Sequence, residues 1–222
     1  MDKFRMRFSK TGRAVYISHL DLMHTFQRGF SRAGYELKYS EGFNPHPVIA
    51  IAMPLSVGTA SVCELMDFRL KEDRAYTTAE LQNMAGRLTA ALPEGITVER
   101  IYEPVQKIAD LKWLLVQGSF CYDTQPDAAQ LREFFARKEI LVTKKTKHGT
   151  AEINLVDGID SLQIDESDGT KLQINALVSA QNPTLNPELL VEALQKYCPE
   201  LVPDFHSFRR MAVYGADRKE FF

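Results

Sequence analysis

Apolar and polar residues alternate with a period of two over residues 3–9, where Phe4, Met6 and Phe8 fall on one side and Lys3, Arg5 and Arg7 on the other. That period predicts a strand with one apolar and one basic face. After a turn at Lys10-Thr11-Gly12-Arg13 the period becomes helical. Leu22, Phe26, Phe30 and Ala33 form one stripe, with Arg28 and Arg32 off it. Ser18 stands at the expected N-cap, Asp21 follows it in a capping-box-like spacing, and Gly34 is the stop. A connection rich in turn residues (Ser40, Gly42, Asn44, Pro45, Pro47) leads to an apolar run at 48–53, read as a buried strand. A turn over 54–60, an alternating strand at 62–70, a helix at 79–92 capped by Thr78 and a strand at 96–102 complete a β-α-β-β-α-β order.

The second half repeats much of this. A strand at 111–122 is followed by a helix at 125–137, opened by Asp123-Thr124 and Pro126. A hairpin is expected from 140–147 and 151–156, then a strand at 171–178, a helix at 187–197 and a last strand at 205–214. The order is β-α-β-β-β-α-β, with one extra strand. The pattern therefore predicts an α+β protein of two tandem ferredoxin-like (βαββαβ) units with mainly antiparallel sheets, residues 1–106 and 107–222.

Composition changes this picture little. The 222 residues are 45% hydrophobic and 25% charged with a net charge of −2, which excludes a disordered chain and a globally basic nucleic-acid binder. The N-terminus lacks the apolar stretch of a secretory signal, and no run approaches the roughly 18 apolar residues that span a bilayer. The three cysteines, Cys63, Cys121 and Cys198, form no CxxC pair. They predict reduced thiols in a cytoplasmic protein, without a disulfide framework, a zinc ribbon or a self-held iron–sulfur cluster. No membrane partner and no cofactor is expected.

The distribution of charge matters more than its total. Residues 1–50 carry a net +4, 51–131 a net −4, 132–148 a net +4, 149–205 a net −8 and 206–222 a net +2. Two basic islands result: Lys3, Arg5, Arg7, Lys10, Arg13, Arg28 and Arg32 in the first, and Arg132, Arg137, Lys138, Lys144, Lys145 and Lys147 in the second. A basic strand with aromatic neighbours and a Lys-rich hairpin suit RNA phosphates, and edge solvation by Lys and Arg is the structural alternative.

Three clusters hold the candidate chemistry. Ser18, His19 and Asp21 sit at a helix start, where spare N–H groups favour an anion and His19 is placed for general acid–base work. Positions 19 and 21 diverge by about 200° on a helix, so no metal site is expected there. Asn44 and His46 lie in a loop stiffened by Pro45 and Pro47. Ser56 and Gly58 belong to a small-residue loop without the spacing of a nucleotide-binding motif. If the second strand is 48–53, the Ser56–Gly58 loop joins Ser18, His19 and Asp21 and His46 lies at the far end. If it is 36–39, His46 joins His19 instead.

The segments R-F-S-K-T-G (7–12), Y-I-S-H-L-D-L (16–22), G-F-N-P-H-P (42–47) and P-L-S-V-G (54–58) resemble the radical-SAM-linked proteins of bacteria, densely over the first 70 residues and diffusely beyond. In that family the domain occurs beside, or fused to, a cobalamin-binding radical SAM protein, often near a ribonuclease of the E/G type. The resemblance implies a radical SAM protein as partner and an accessory role in RNA modification or processing. It supplies no catalytic residues, and His24 stands where the family carries a basic residue.

Together these readings lead to an accessory RNA-binding or substrate-presenting protein. Arg5, Arg7, Lys10, Arg13, Ser18, His19, Asp21, Asn44, His46, Ser56, Gly58, Lys144, Lys145 and Lys147 are its candidate contacts. A metal-independent endoribonuclease using His19 or His46, resembling the CRISPR repeat-RNA processing nucleases, is one alternative. A protein-interaction scaffold docking through the acidic stretch is the other.

Overall fold

A computed structural model describes residues 3–146, 149–181 and 183–221. It is a mixed α+β protein with four α-helices among the described residues and mainly antiparallel strand pairing. The chain divides into two compact units, one up to Ala109 and one from Asp110 to Phe221. Among the described residues no helix is long and apolar enough to cross a membrane.

The first unit contains β1 (Phe4–Lys10), α1 (His19–Arg32), β2 (Ile49–Ile51), β3 (Ala60–Phe68), α2 (Thr78–Ala91) and β4 (Ile96–Tyr102). Its sheet runs in the order β4-β1-β3-β2. The apolar face of β1 meets the stripe of α1 across the core: Phe8 and Phe26 pack edge to face at 4.8 Å, and Phe30 lies 4.9 Å from Phe68. Leu81, Met84, Ala85 and Leu88 of α2 close the same core. Ser18 caps α1, its hydroxyl accepting from the Asp21 N–H at 3.2 Å and donating to the Asp21 carboxylate at 2.7 Å. α1 ends at Gly34, whose φ of +79° suits a residue without Cβ. α2 is capped by Thr77, not Thr78. Its hydroxyl accepts from the Glu80 N–H while the Glu80 carboxylate accepts from the Thr77 N–H, so donors at both positions are satisfied.

The second unit contains β5 (Leu111–Cys121), α3 (Ala128–Phe135), β6 (Leu141–Thr146), β7 (Gly149–Asn154), β8 (Ile159–Asp168), β9 (Lys171–Ser179), α4 (Glu188–Tyr197) and β10 (Phe205–Gly215). Its sheet runs β10-β5-β9-β8, and β6-β7 form a separate ribbon. With that ribbon set aside, the order of elements and strands matches the first unit. Two expectations change here. α3 starts at Asp127, whose carboxylate accepts from the Gln130 N–H at 2.9 Å, later than the Asp123-Thr124 start expected. β8 was not expected at all: of its ten residues only Ile164 is buried, and its apolar alternation is confined to Leu162 and Ile164. It forms because β9 offers a ladder, with Gln163 opposite Asn175 and Asp165 opposite Gln173.

Candidate nucleic-acid interface

The first cluster is assembled at one end of the first unit. β2 ends at Ile51, opposite Met66, and the Gly58 N–H donates to the Val15 carbonyl at 2.9 Å. The loop of Ser56 and Gly58 therefore lies at the end where α1 begins, with Ser18, His19 and Asp21. His19 is half-buried, and its Nδ1 is buried without a hydrogen-bond partner among the described residues. Lys10 is buried at this end. Its ammonium donates to the Val15 carbonyl at 3.1 Å and the Ile17 carbonyl at 2.8 Å, and burial pushes its pKa down against the pull of Glu64.

His46 lies at the other end. Its backbone N–H donates to the Ser40 hydroxyl at 3.1 Å, its Nδ1 lies 2.9 Å from that hydroxyl, and Ser40 N–H donates to the His46 carbonyl. Asn44 contributes its carbonyl, 3.4 Å from the same Nδ1. Leu37 and Tyr39 make only isolated bridges, to Leu70 and Pro47, so the placement of β2 at 36–39 is excluded. His19 opens a 14-residue helix and His46 lies beyond its other end, about 20 Å away along the axis. The two histidines do not share a site.

Within the first basic island Arg5 and Lys10 are buried and Arg7 is half-buried, while Lys3, Arg13, Arg28 and Arg32 are exposed. Arg5 is 0% exposed, and its guanidinium donates from Nε and Nη2 to both carboxylate oxygens of Asp67, at 2.7 and 3.2 Å. Register makes this pair, because Arg5 stands opposite Asp67 on β3. Lys3 adds a second cation to Asp67 at 2.6 Å, and Arg7 pairs with Glu99 at 2.8 Å. Beside them Tyr102 lies under Arg100, with the guanidinium 5.1 Å from the ring centre, and burial raises its pKa. Arg13 stays 95% exposed, 3.9 Å from Glu94.

The second island is partly used within its own unit. Lys144 donates to the Thr184 carbonyl, and Lys196 and Tyr197 both donate to the Leu141 carbonyl at 2.9 Å, anchoring the β6-β7 ribbon beside α4. Arg132 donates to the Ile164 carbonyl, and Arg137 stacks over Phe134. Lys138 is exposed. Lys147 lies outside the described residues, as does the side chain of Lys145.

The arrangement with the widest chemical reach was not anticipated. One face of β5 is core: Leu114, Val116, Gly118 and Phe120 are buried. The other face is open, and register aligns it across four strands. Ser207, Ser119, Gln173 and Asp165 form one row; Arg209, Gln117, Asn175 and Gln163 form the next. Every one of these eight residues is at least partly exposed. The Gln117 amide lies 3.4 Å from the Asn175 side-chain oxygen. Aromatic groups border the rows: Phe205, 64% exposed, at one end, and Trp113 with Tyr214 at the other. The signal for this face was present in L-K-W-L-L-V-Q-G-S-F-C and K-L-Q-I-N-A-L, where Gln117 and Ser119, and Lys171, Gln173 and Asn175, fall at alternate positions. Among the described residues no group of three or more His, Cys, Asp or Glu side chains is arranged to hold a metal.

The chain belongs to a bacterial family. Residues 3–187 match the family described as "Uncharacterized protein conserved in bacteria (DUF2344)". No curated protein matches the chain. Among solved structures it is similar to a chain in the "Crystal Structure of a Cbf5-Nop10-Gar1 Complex", at 10% identity and a TM-score of 0.48, covering 95% of this chain and 48% of that one. It therefore spans about half the length of that relative. It is also similar to "an Unknown Protein from Galdieria sulphuraria", at 12% identity and a TM-score of 0.26, covering 94% of this chain and 98% of that one.

Proposed function

We propose that this is a cytoplasmic RNA-binding accessory protein built as two tandem ferredoxin-like units, whose second unit holds single-stranded RNA on its open sheet face. The observation that carries the reading is the pair of polar rows, Ser207-Ser119-Gln173-Asp165 and Arg209-Gln117-Asn175-Gln163, bordered by exposed Phe205. Amide, hydroxyl and guanidinium groups suit the hydrogen-bonding edges of unstacked bases, and an exposed ring gives a base a surface to stack on. The strand order β10-β5-β9-β8, equivalent to β4-β1-β3-β2, supports the ferredoxin-like assignment. A radical SAM protein as partner rests on the sequence resemblance alone. The alternative, an endoribonuclease using His19 or His46, would have to rest on one histidine alone, because the two lie at opposite ends of the first unit.

Fluorescence anisotropy with labelled single-stranded RNA tests the reading. Binding at low salt that weakens about tenfold or more in Arg209→Ala and Phe205→Ala, each folded by circular dichroism, supports it. Absent binding, or affinity indifferent to both substitutions, refutes it. Co-purification with a radical SAM protein encoded nearby tests the partner separately.

A further inference from the structure

β8 is the edge of the second unit's sheet, and its outward hydrogen-bonding groups can be assigned by parity. The Ala180 N–H donates to the Lys112 carbonyl and the Tyr122 N–H to the Thr170 carbonyl, so even-numbered residues of β9 bond to β5. The odd-numbered residues Gln173, Asn175 and Leu177 then bond to β8, at Asp165, Gln163 and Ser161. Leu162, Ile164 and Glu166 are left with backbone N–H and C=O groups directed away from the sheet. One of these carbonyls, that of Ile164, accepts from Arg132 Nε at 3.1 Å, as the parity requires.

Beside this edge is a groove of about 600 Å³ against α3, lined on one side by Arg132, Phe135 and Ala136, on the other by residues 159–165 of β8, polar and apolar alike, and by Val156. Residues of β8 alternate: Leu162 and Ile164 lie on the core side, Gln163 and Asp165 on the open face. Charge along the edge is of one sign, from Asp160, Asp165, Glu166 and Asp168. Arg218 pairs with Asp160 and Arg132 with Glu166. Asp165 has no ion-pair partner among the described residues; the Asn175 amide reaches it at 3.5 Å.

The geometry points to β-strand addition on β8 by an extended, basic segment of a partner protein, with apolar and Lys or Arg residues alternating. Main-chain groups of the segment would pair with Leu162 and Ile164, its apolar side chains would fill the groove, and its cations would lie beside Asp165. A second copy of this chain fits poorly, because β8 against β8 sets these carboxylates against one another. Arg132 acts as a displaceable cover: it leaves the Ile164 carbonyl when the strand adds and keeps its contact with Glu166.

The test uses the full chain and two fluorescein-labelled peptides of one composition, one alternating Val with Lys and one with the same residues in blocks. The alternating peptide is expected to bind, by anisotropy, about tenfold or more tightly than the block peptide and to slow amide hydrogen exchange at Leu162 and Ile164. Leu162→Pro removes an outward N–H without touching the β9 ladder, and Asp165→Lys reverses the charge at an exposed position. Each is expected to weaken binding about tenfold. Equal affinity for the two peptides, or binding without protection of those amides, overturns the proposal. If Leu162→Pro does not fold, Asp165→Lys decides: unchanged affinity overturns it.

Discussion

Asp67 and Tyr122 show how a single side chain can be governed by neighbours distant in the chain. Arg5 and Asp67 are 62 residues apart, and both are buried with a bidentate contact. Removing one partner of such a pair leaves an uncompensated buried charge, so Asp67→Ala is expected to cost about 3–5 kcal/mol in urea denaturation. Tyr122 is half-buried, and its hydroxyl donates to the Leu201 carbonyl at 3.0 Å. Burial, reinforced by Asp204, pushes its phenol up to about 12. Between the ordinary tyrosine value and about 12 the folded state holds this proton while the unfolded chain has lost it. The stability contributed is therefore full below about pH 10 and lost as pH rises through that window. Difference absorbance of tyrosinate in wild type and Tyr122→Phe checks the ionisation, and denaturation in alkaline buffers checks the sign. Neither residue's environment was legible in the sequence. Arg5 reads as one position of a basic strand face, because nothing local reveals which carboxylate β3 will bring opposite it.

At the scale of elements, the well-read parts are those whose ends and faces are set locally. α1 begins at Ser18 and buries Leu22, Phe26 and Phe30, as its spacing requires. β4 occupies 96–102, as its alternation predicts. The α2 start moved by one residue, because Thr77 and Thr78 are both competent caps and the spacing to Glu80 chooses Thr77. Thr77→Ala is expected to lower stability by about 1 kcal/mol, read as a shift in urea midpoint at constant slope. β8 was missed for a different reason. An edge strand takes its structure from the backbone of its neighbour, and its charged side chains resemble those of a solvated loop. The same property makes it the open edge proposed to accept a partner strand.

At the scale of the whole molecule, a net charge of −2 conceals unlike segments, and folding changes which of them reach solvent. Arg5 and Lys10 are buried. Beside the two polar rows stand Arg209, which is exposed, and Lys171, which is partly so, while Lys112 and Arg218 lie over the bordering Trp113 ring. RNA held there contacts few phosphates, so its affinity should depend only shallowly on salt. For two contacts to single strands the slope of log K against log salt is expected near −1.4. A markedly steeper slope, reduced by substituting Lys144, Lys145 and Lys147, would assign binding to the β6-β7 ribbon instead. Titration of anisotropy across salt concentrations distinguishes the two surfaces.

The sequence by itself determined the β-α-β-β-α-β order of the first unit, the Ser18 cap of α1 and the apolar stripe of that helix, because these depend on residues close to one another in the chain. It also narrowed the relation between His19 and His46 to a choice of second strand. Only the tertiary structure decided that choice, through the pairing of Ile49–Ile51 with β3. It likewise decided that Arg5 is neutralised by Asp67, and that polar side chains from β5, β8, β9 and β10 align into rows. Each of these rests on strand register between segments far apart in the chain. A shift of one residue would exchange the two faces of a strand, and no local pattern encodes which residues finally stand opposite.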